Sequence, residues 1–256
     1  MQPVAEAKNL HRASSGDSGL ARVVLEVSSG MGLFVYIVTY DTGFAPNPFH
    51  GYCTLATCKP LIRRGAQRGD WVVGLGAKSR SQEGKLIYAM QVEEAMSYDE
   101  YWNDPRFEKK KPERSGRRES ECGDNIYHTD ASTGEWIQRS GYHSKANGRP
   151  DLVKVKHDTA VPRVLISQKF VYRGRNAIDI PEGIKNYDRP ERFIGIRGHR
   201  RNFPSALEGL IVEWLQKQTQ RPGVHGKPTH FDPKHCGSDP CGPTSTHGAS
   251  SGQRTC

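Results

Sequence analysis

At 256 residues and 35% apolar content, the chain has room for one compact domain with appendages rather than two full cores. No run of about 18 apolar residues occurs and no basic, apolar, small-residue leader is visible, so the expectation is a cytoplasmic protein without a membrane-spanning helix. Lys and Arg outnumber Asp and Glu by 37 to 28, for a net charge of +9. Two segments account for that excess: Arg106 to Arg118 (RFEKKKPERSGRR), with seven positive and two negative residues, and Arg189 to Arg201 (RPERFIGIRGHRR), with five and one. Phe107, Phe193 and His199 interleave with these charges, a pattern suited to phosphate contact with base stacking, although a solvated loop has the same composition. Six cysteines in a chain without an export signal read as reduced thiols rather than a disulfide framework.

Residues 1–20 are small and polar and read as disordered, and Val23 to Val27 (VVLEV) reads as a short strand. Leu33 to Tyr40 (LFVYIVTY) is β-branched and aromatic throughout, the pattern of a central strand buried on both faces. It runs into TYDTGFAPNPFHGYCTLATCKPLIRR, after which Pro60 suits the first turn of a short helix. Trp71 to Leu75 and Lys85 to Ala95 form an expected antiparallel hairpin. Ser97-Tyr98-Asp99-Glu100 has the spacing of a capping box, opening a helix that Pro105 stops. Phe107 to Asp158 is long and irregular, which marks a segment that is either functional or unstructured. Val164 to Tyr172 (VLISQKFVY) reads as one core strand. Ser205-Ala206-Leu207-Glu208 repeats the capping-box spacing ahead of an apolar helical face of Leu207, Leu210, Ile211, Trp214 and Leu215. The domain expected is therefore 23–221, followed by an unstructured Gly/Ser/Pro/His-rich tail over 224–256.

The loop from Thr39 to Arg64 carries the densest chemistry. Pro46 and Pro48 stiffen it while Gly43 and Gly51 permit positive φ. A rigid loop of this kind presents Phe44 and Phe49 as stacking faces and Asn47 as a donor and acceptor for a base edge, unless the rings simply plug the core. Asp124, Asn125 and Tyr127 in GDNIYH, with Trp136, extend the expected nucleotide-binding set, and His143 could wall the same pocket. Lys59, Arg63, Arg64, Lys109, Lys110 and Lys111 are the expected phosphate contacts. For catalysis, Asp41, His50 and Asp124 are the acid-base candidates. Cys53 or Cys58 as a nucleophile lacks an oxyanion donor that the sequence can locate. His230, His235, Cys236 and Cys241 match no familiar zinc spacing, no Walker loop or dinucleotide fingerprint occurs, and no cofactor is indicated.

The order of the Leu33 to Tyr40 strand, TYDTGFAPNPFHGYCTLATCKPLIRR, GDWVVGLG, KLIYAMQVEEAMSYDEYWNDPRF, CGDNIYH and VLISQKFVYRG resembles the nucleotide modification associated domain 2 family of bacterial and phage proteins. The resemblance covers roughly Leu33 to Gly174 and implies a setting in nucleic-acid modification rather than a particular reaction. A second, fold-level similarity is to the PUA, ASCH, EVE and YTH barrels, which implies an α+β, mainly β, PUA-like barrel with added short helices and a C-terminal amphipathic helix. Together these set the expectation of recognition of a nucleotide or modified base, in a modification or phage-defence setting. The alternatives are an enzyme using Asp41, His50 and Asp124 on a modified nucleotide, or a non-catalytic interaction subunit with protein partners from a DNA-modification system.

Overall fold

The computed structural model describes residues 31–113, 116–187 and 198–231. The N-terminal segment 1–20, the strand expected at Val23 to Val27, most of the second basic segment, and His235, Cys236 and Cys241 lie outside the described residues.

The strands are β1 (Leu33–Val38), β2 (Cys53–Leu55), β3 (Trp71–Gly76), β4 (Lys85–Gln91), β5 (Glu94–Ser97), β6 (Tyr127–Thr129), β7 (Trp136–Gln138), β8 (Arg163–Ser167), β9 (Phe170–Tyr172), β10 (Ile178–Asp179), β11 (His199–Arg200) and β12 (Gly223–Val224). The helices are α1 (Pro60–Gly65), α2 (Tyr98–Asn103), α3 (Arg118–Glu121), α4 (Leu152–Thr159), α5 (Glu182–Lys185) and α6 (Ser205–Gln218). One sheet runs β11-β1-β3-β4-β9-β12, with β10 also paired to β4; a second runs β2-β8-β5; and β6 pairs with β7. No closed barrel forms among the described residues, so the expected PUA-like closure gives way to a mixed α/β arrangement with open sheets.

Strand β1 is central because both of its faces are apolar. Leu33 and Val35 face Trp71, Val73, Leu86 and the buried stripe Leu207, Ile211 and Leu215 of α6. Phe34, Tyr36 and Val38 face the other core, with Ile62, Val72, Tyr88 and Leu165. A third cluster gathers Phe44, Tyr98, Tyr101, Phe107, Ile126 and Tyr127 under the loop from Thr39 to Arg64. Within α6, Leu210 stays 43% exposed, so the buried stripe is narrower than the five-residue face expected.

Two apolar runs that read as single strands are in fact bent. Lys85 to Ala95 divides into β4 and β5, and Val164 to Tyr172 into β8 and β9, each half joining a different sheet. The two bends lie side by side: the Glu93 carboxylate accepts the N–H groups of Gln168 at 2.6 Å and Lys169 at 3.0 Å. These are backbone donors that a turn leaves without ladder partners. Helix α2 carries its expected capping box, with Ser97 accepting from the Glu100 N–H and Glu100 reaching back to the Ser97 N–H. At α6 the second box is absent, because Pro204 occupies the cap position and no side chain caps the helix. The chain expected to be unstructured from Val224 is instead held on the core as far as His230. Val224 pairs with Tyr172 in β9, and the His230 N–H donates to the Asp41 carbonyl at 2.8 Å. Among the described residues, no helix is long and apolar enough to cross a membrane.

Candidate active site

The expected ligand-facing loop packs inward. Phe44, Asn47, Asp124, Asn125 and Tyr127 are all buried. Asn47 and Thr54 exchange backbone hydrogen bonds of 2.9 Å, which closes the loop into a hairpin-like bridge. Into it reaches the Lys110 ammonium, wholly buried, donating to Asn47 Oδ1 at 2.8 Å, the Asn47 carbonyl at 3.0 Å, the Tyr52 carbonyl at 2.9 Å and Thr54 Oγ1 at 3.0 Å. Asp124 completes the network by accepting from Thr54 Oγ1 at 2.7 Å and the Tyr101 hydroxyl at 2.8 Å. Burial pushes Lys110 down to about 8 against the attraction of Asp124, and burial raises Asp124 despite Lys110 and its two hydroxyl donors. This is an interior polar pin that ties the loop to the segment 107–125. Lys110 is thereby removed from the set of expected phosphate contacts, while Lys109 and Arg64 are exposed.

Among the hydrogen bonds and ion pairs of the described residues, none joins any two of Asp41, His50 and Asp124. Asp41 accepts from the Tyr172 hydroxyl and, through Oδ2, from the Thr229 N–H at 2.8 Å and hydroxyl at 3.1 Å. It therefore clasps the segment 229–230, and burial raises its carboxyl in spite of those donors. His50 sits at positive φ beside Phe49, and both line a groove of about 590 Å³ with Phe170 and Phe231. Trp136, half-buried, packs edge-on against Tyr98 at 5.8 Å.

The chemistry gathers instead at Cys58, between β2 and α1. Cys58 and Lys59 both adopt the left-handed conformation, at φ 58° and 40°. Two consecutive non-glycine residues there cost about 1 to 2 kcal/mol each, a strain that persists only where surrounding contacts over-determine it. Those contacts are present. The Cys58 N–H donates to Asp158 Oδ1 at 2.9 Å, and the Cys58 carbonyl accepts from Arg63 Nε at 2.8 Å. The same guanidinium, fully buried, also donates to the carbonyls of Asp158 at 2.8 Å, Arg163 at 2.9 Å and Val161. Arg63, an expected phosphate contact, is thus the clamp of the turn. A strand, a strained residue and a helix in succession is the local shape that pushes a nucleophilic side chain clear of its own backbone.

Around that turn three side chains stand in line. Cys58 Sγ lies 3.6 Å from His143 Nε2, and His143 Nδ1 lies 2.6 Å from Asp158 Oδ2. Asp158 Oδ2 also accepts from the Tyr127 hydroxyl at 3.0 Å, and Oδ1 lies 3.2 Å from His157 Nδ1. Burial alone would raise the Asp158 carboxyl, but the His143 charge and hydrogen bond, the His157 bond and the Arg63 charge together hold it well below the ordinary carboxylate range. In the neutral imidazole an ionised acceptor at Nδ1 keeps the proton on that nitrogen, so Nε2 is the atom that can accept from a thiol at Cys58 once the sulfur is reduced. Gln138 holds the arrangement from behind, its Nε2 donating to the Tyr127 hydroxyl and the His143 carbonyl, both at 3.0 Å. Tyr127, expected to stack on a base, supports the carboxylate instead.

Cys58 is disulfide-bonded in this structure, so its sulfur is in the oxidised form. It is 4% exposed and borders a narrow cleft of about 20 Å³ with Tyr36, Tyr40 and Lys59, room for little more than one water. Cys53 is a separate case: it is wholly buried, and burial pushes its thiol up to about 12. An inert core thiol of that kind is no nucleophile.

The family described as nucleotide modification associated domain 2 matches residues 31–235. The chain belongs to this family. The matched span takes in Cys58, His143 and Asp158, and extends past the region expected from the sequence to include α6 and the docked segment 224–231. No curated protein and no solved structure matches the chain. Among the described residues of this nucleotide modification associated domain, no three His, Cys, Asp or Glu side chains are grouped to hold a metal ion.

Sequence reasoning weighed Cys58 and His143 separately and passed over Asp158 and His157. The local signal for the first was the strand, Cys-Lys-Pro and helix succession. Nothing local marks the pairing, because His143 and Asp158 stand 85 and 100 positions beyond Cys58.

Proposed function

We propose that this protein is a thiol-dependent enzyme that removes or transfers an acyl substituent carried by a modified nucleotide, working beside nucleic-acid modification or phage-defence machinery. The observation that carries this reading is the line from Cys58 Sγ through His143 to Asp158, set on a strained turn. The family description supplies the nucleotide-modification setting. Cysteine, histidine and carboxylate in this order perform acyl transfer on many unrelated folds.

In the reduced protein, His143 Nε2 takes the thiol proton as sulfur attacks the carbonyl carbon of the substituent. The tetrahedral adduct expels the amine or alkoxide of the nucleotide, which leaves with the proton from Nε2, and a thioester remains on Cys58. Water, deprotonated by His143, then cleaves the thioester and returns the thiol. Asp158 holds the imidazole in the required tautomer and offsets its charge in both steps.

The experiment is incubation of the reduced protein with nucleotides and oligonucleotides bearing N-acyl, ester or carboxamide substituents, with mass spectrometry of products and protein. Loss of the substituent with an acyl increment on the Cys58 peptide is expected. A panel left unchanged, with no increment, would exclude the reading. The second reading, recognition of a modified base without chemistry, is favoured by the groove walled by Phe49, Phe170 and Phe231, whose volume of about 590 Å³ suits a nucleotide. It predicts binding that Phe49→Ala weakens while every substrate leaves intact.

A further inference from the structure

We propose that Lys59, His199 and Arg201 form a subsite that holds a phosphate group of the substrate at the edge of the Cys58 cleft, an inference that rests on the nucleotide reading above.

Strand alternation builds this subsite. Phe34 and Tyr36 lie two positions apart on one face of β1, about 6.5 to 7 Å along the strand. Edge strand β11 pairs with β1 so that His199 stands opposite Tyr36, which puts His199, and Arg201 two residues on, over that same face. His199 stacks on Phe34 with ring centroids 6.3 Å apart, and the Arg201 guanidinium lies 5.0 Å from the Phe34 centroid. From the other side, the strained turn delivers the Lys59 ammonium to 4.8 Å above the Tyr36 ring. Three nitrogen-bearing side chains therefore share a platform of two aromatic rings. Tyr36 and Lys59 also border the cleft at Cys58.

Among the described residues, none of the three makes an ion pair, in contrast to Arg106, whose guanidinium is shared between Glu94 and Asp104. Their charges act on one another: His199 is lowered first by burial and then by Arg201 and Lys59, and burial lowers Lys59. Lys59 and His199 are partly buried and Arg201 is exposed, and a dianion between them would relieve the repulsion of the two cations and the lost hydration of Lys59. A phosphate meets that demand, with the planar guanidinium giving two parallel bonds and the ammonium a third. The source is either the phosphate of a free nucleotide or a phosphate of a polynucleotide backbone, and the two are separable.

The test uses the reduced, full-length Cys58→Ser protein, so that binding is read without turnover. It is titrated calorimetrically with a nucleoside, its 5′-monophosphate, a short single-stranded oligonucleotide and inorganic phosphate. Affinity about tenfold or more higher for a phosphorylated ligand than for the nucleoside is expected, with the gain lost in Lys59→Gln/Arg201→Gln. A gain already present with the monophosphate identifies a free nucleotide, and one that appears only with the oligonucleotide identifies the backbone. The proposal is overturned if the double variant, melting at the parent temperature, keeps the parent's preference, or if the parent shows no phosphate-dependent gain. Turnover by the wild-type protein, assayed separately, decides the catalytic reading, so the two can fail independently.

Discussion

Replacing Asp158 with Asn probes the account at its most connected atom pair. The carboxylate meets four donors, with Cys58 N and His157 Nδ1 at Oδ1, and His143 Nδ1 and the Tyr127 hydroxyl at Oδ2. An amide of the same shape can accept on one side only. If its NH₂ turns to Oδ1, it faces the Cys58 N–H and the strained turn loses its anchor. If it turns to Oδ2, His143 must move its proton to Nε2, and the sulfur loses its acceptor. Either orientation uncouples the thiol and removes the charge that offsets Arg63, a loss of about 3 to 5 kcal/mol for a broken buried pair. For a domain of this size that lowers the Tm by roughly 10 °C. Because the folded carboxyl is depressed, its stabilisation is present above the unfolded value of about 3.9 and fades as pH falls through the folded value. The gap between wild type and Asp158→Asn should therefore narrow in acid. The chemical readout is alkylation of reduced Cys58 by iodoacetamide. An imidazole placed to take the thiol proton speeds alkylation as a general base, so at pH 6.5 the variant should react about 100-fold more slowly. Wild-type melting and an unchanged alkylation profile in Asp158→Asn would refute the reasoning.

Three further outcomes follow from the same contacts. His143→Gln should shift the alkylation profile of Cys58 towards that of an ordinary thiol while changing Tm less than Asp158→Asn, measured by the same pH series and by calorimetry. Lys110 falls to about 8 in the folded protein, below its unfolded value of about 10.4, so the unfolded chain binds more protons between those two values. Relative to Lys110→Met, whose other buried groups titrate alike, the wild-type protein should therefore gain about 3 kcal/mol of stability across that window, seen in paired urea titrations at stepped pH. Arg63→Lys replaces one fork serving four carbonyls with a point charge and should cost about 2 to 4 kcal/mol, with slower alkylation at Cys58.

The parts of this fold that could be read from the sequence were those set by local rules. The doubly apolar run of β1, the β3–β4 hairpin and the capping box of α2 each depend on residues close together in the chain. The bends at Glu93 and Gln168 could not be read, because an apolar run looks alike whether it stays in one sheet or crosses to another. Charge misled in a related way. Lys110 and Arg63 lie among exposed basic neighbours in the sequence, yet each is buried on a set of carbonyl oxygens that only the tertiary fold assembles. Tyr127 and Asp124 were legible as important polar or aromatic positions, but their partners were not. The site escaped for the reason most composite sites do. Its turn is local and visible as Cys58-Lys59-Pro60, while His143 and Asp158 come from the irregular segment and the last turn of α4.

The most direct measurement of the central claim is the mass of the Cys58 peptide after the reduced protein meets an activated acyl ester at pH 6.5. A thioester increment on Cys58 is expected to form fast in the wild-type protein, to be much slower in His143→Gln and Asp158→Asn, and to be absent without reductant, because Cys58 is disulfide-bonded in the structure. An increment that forms equally fast in all three reduced proteins, or none on Cys58 at all, would contradict that claim.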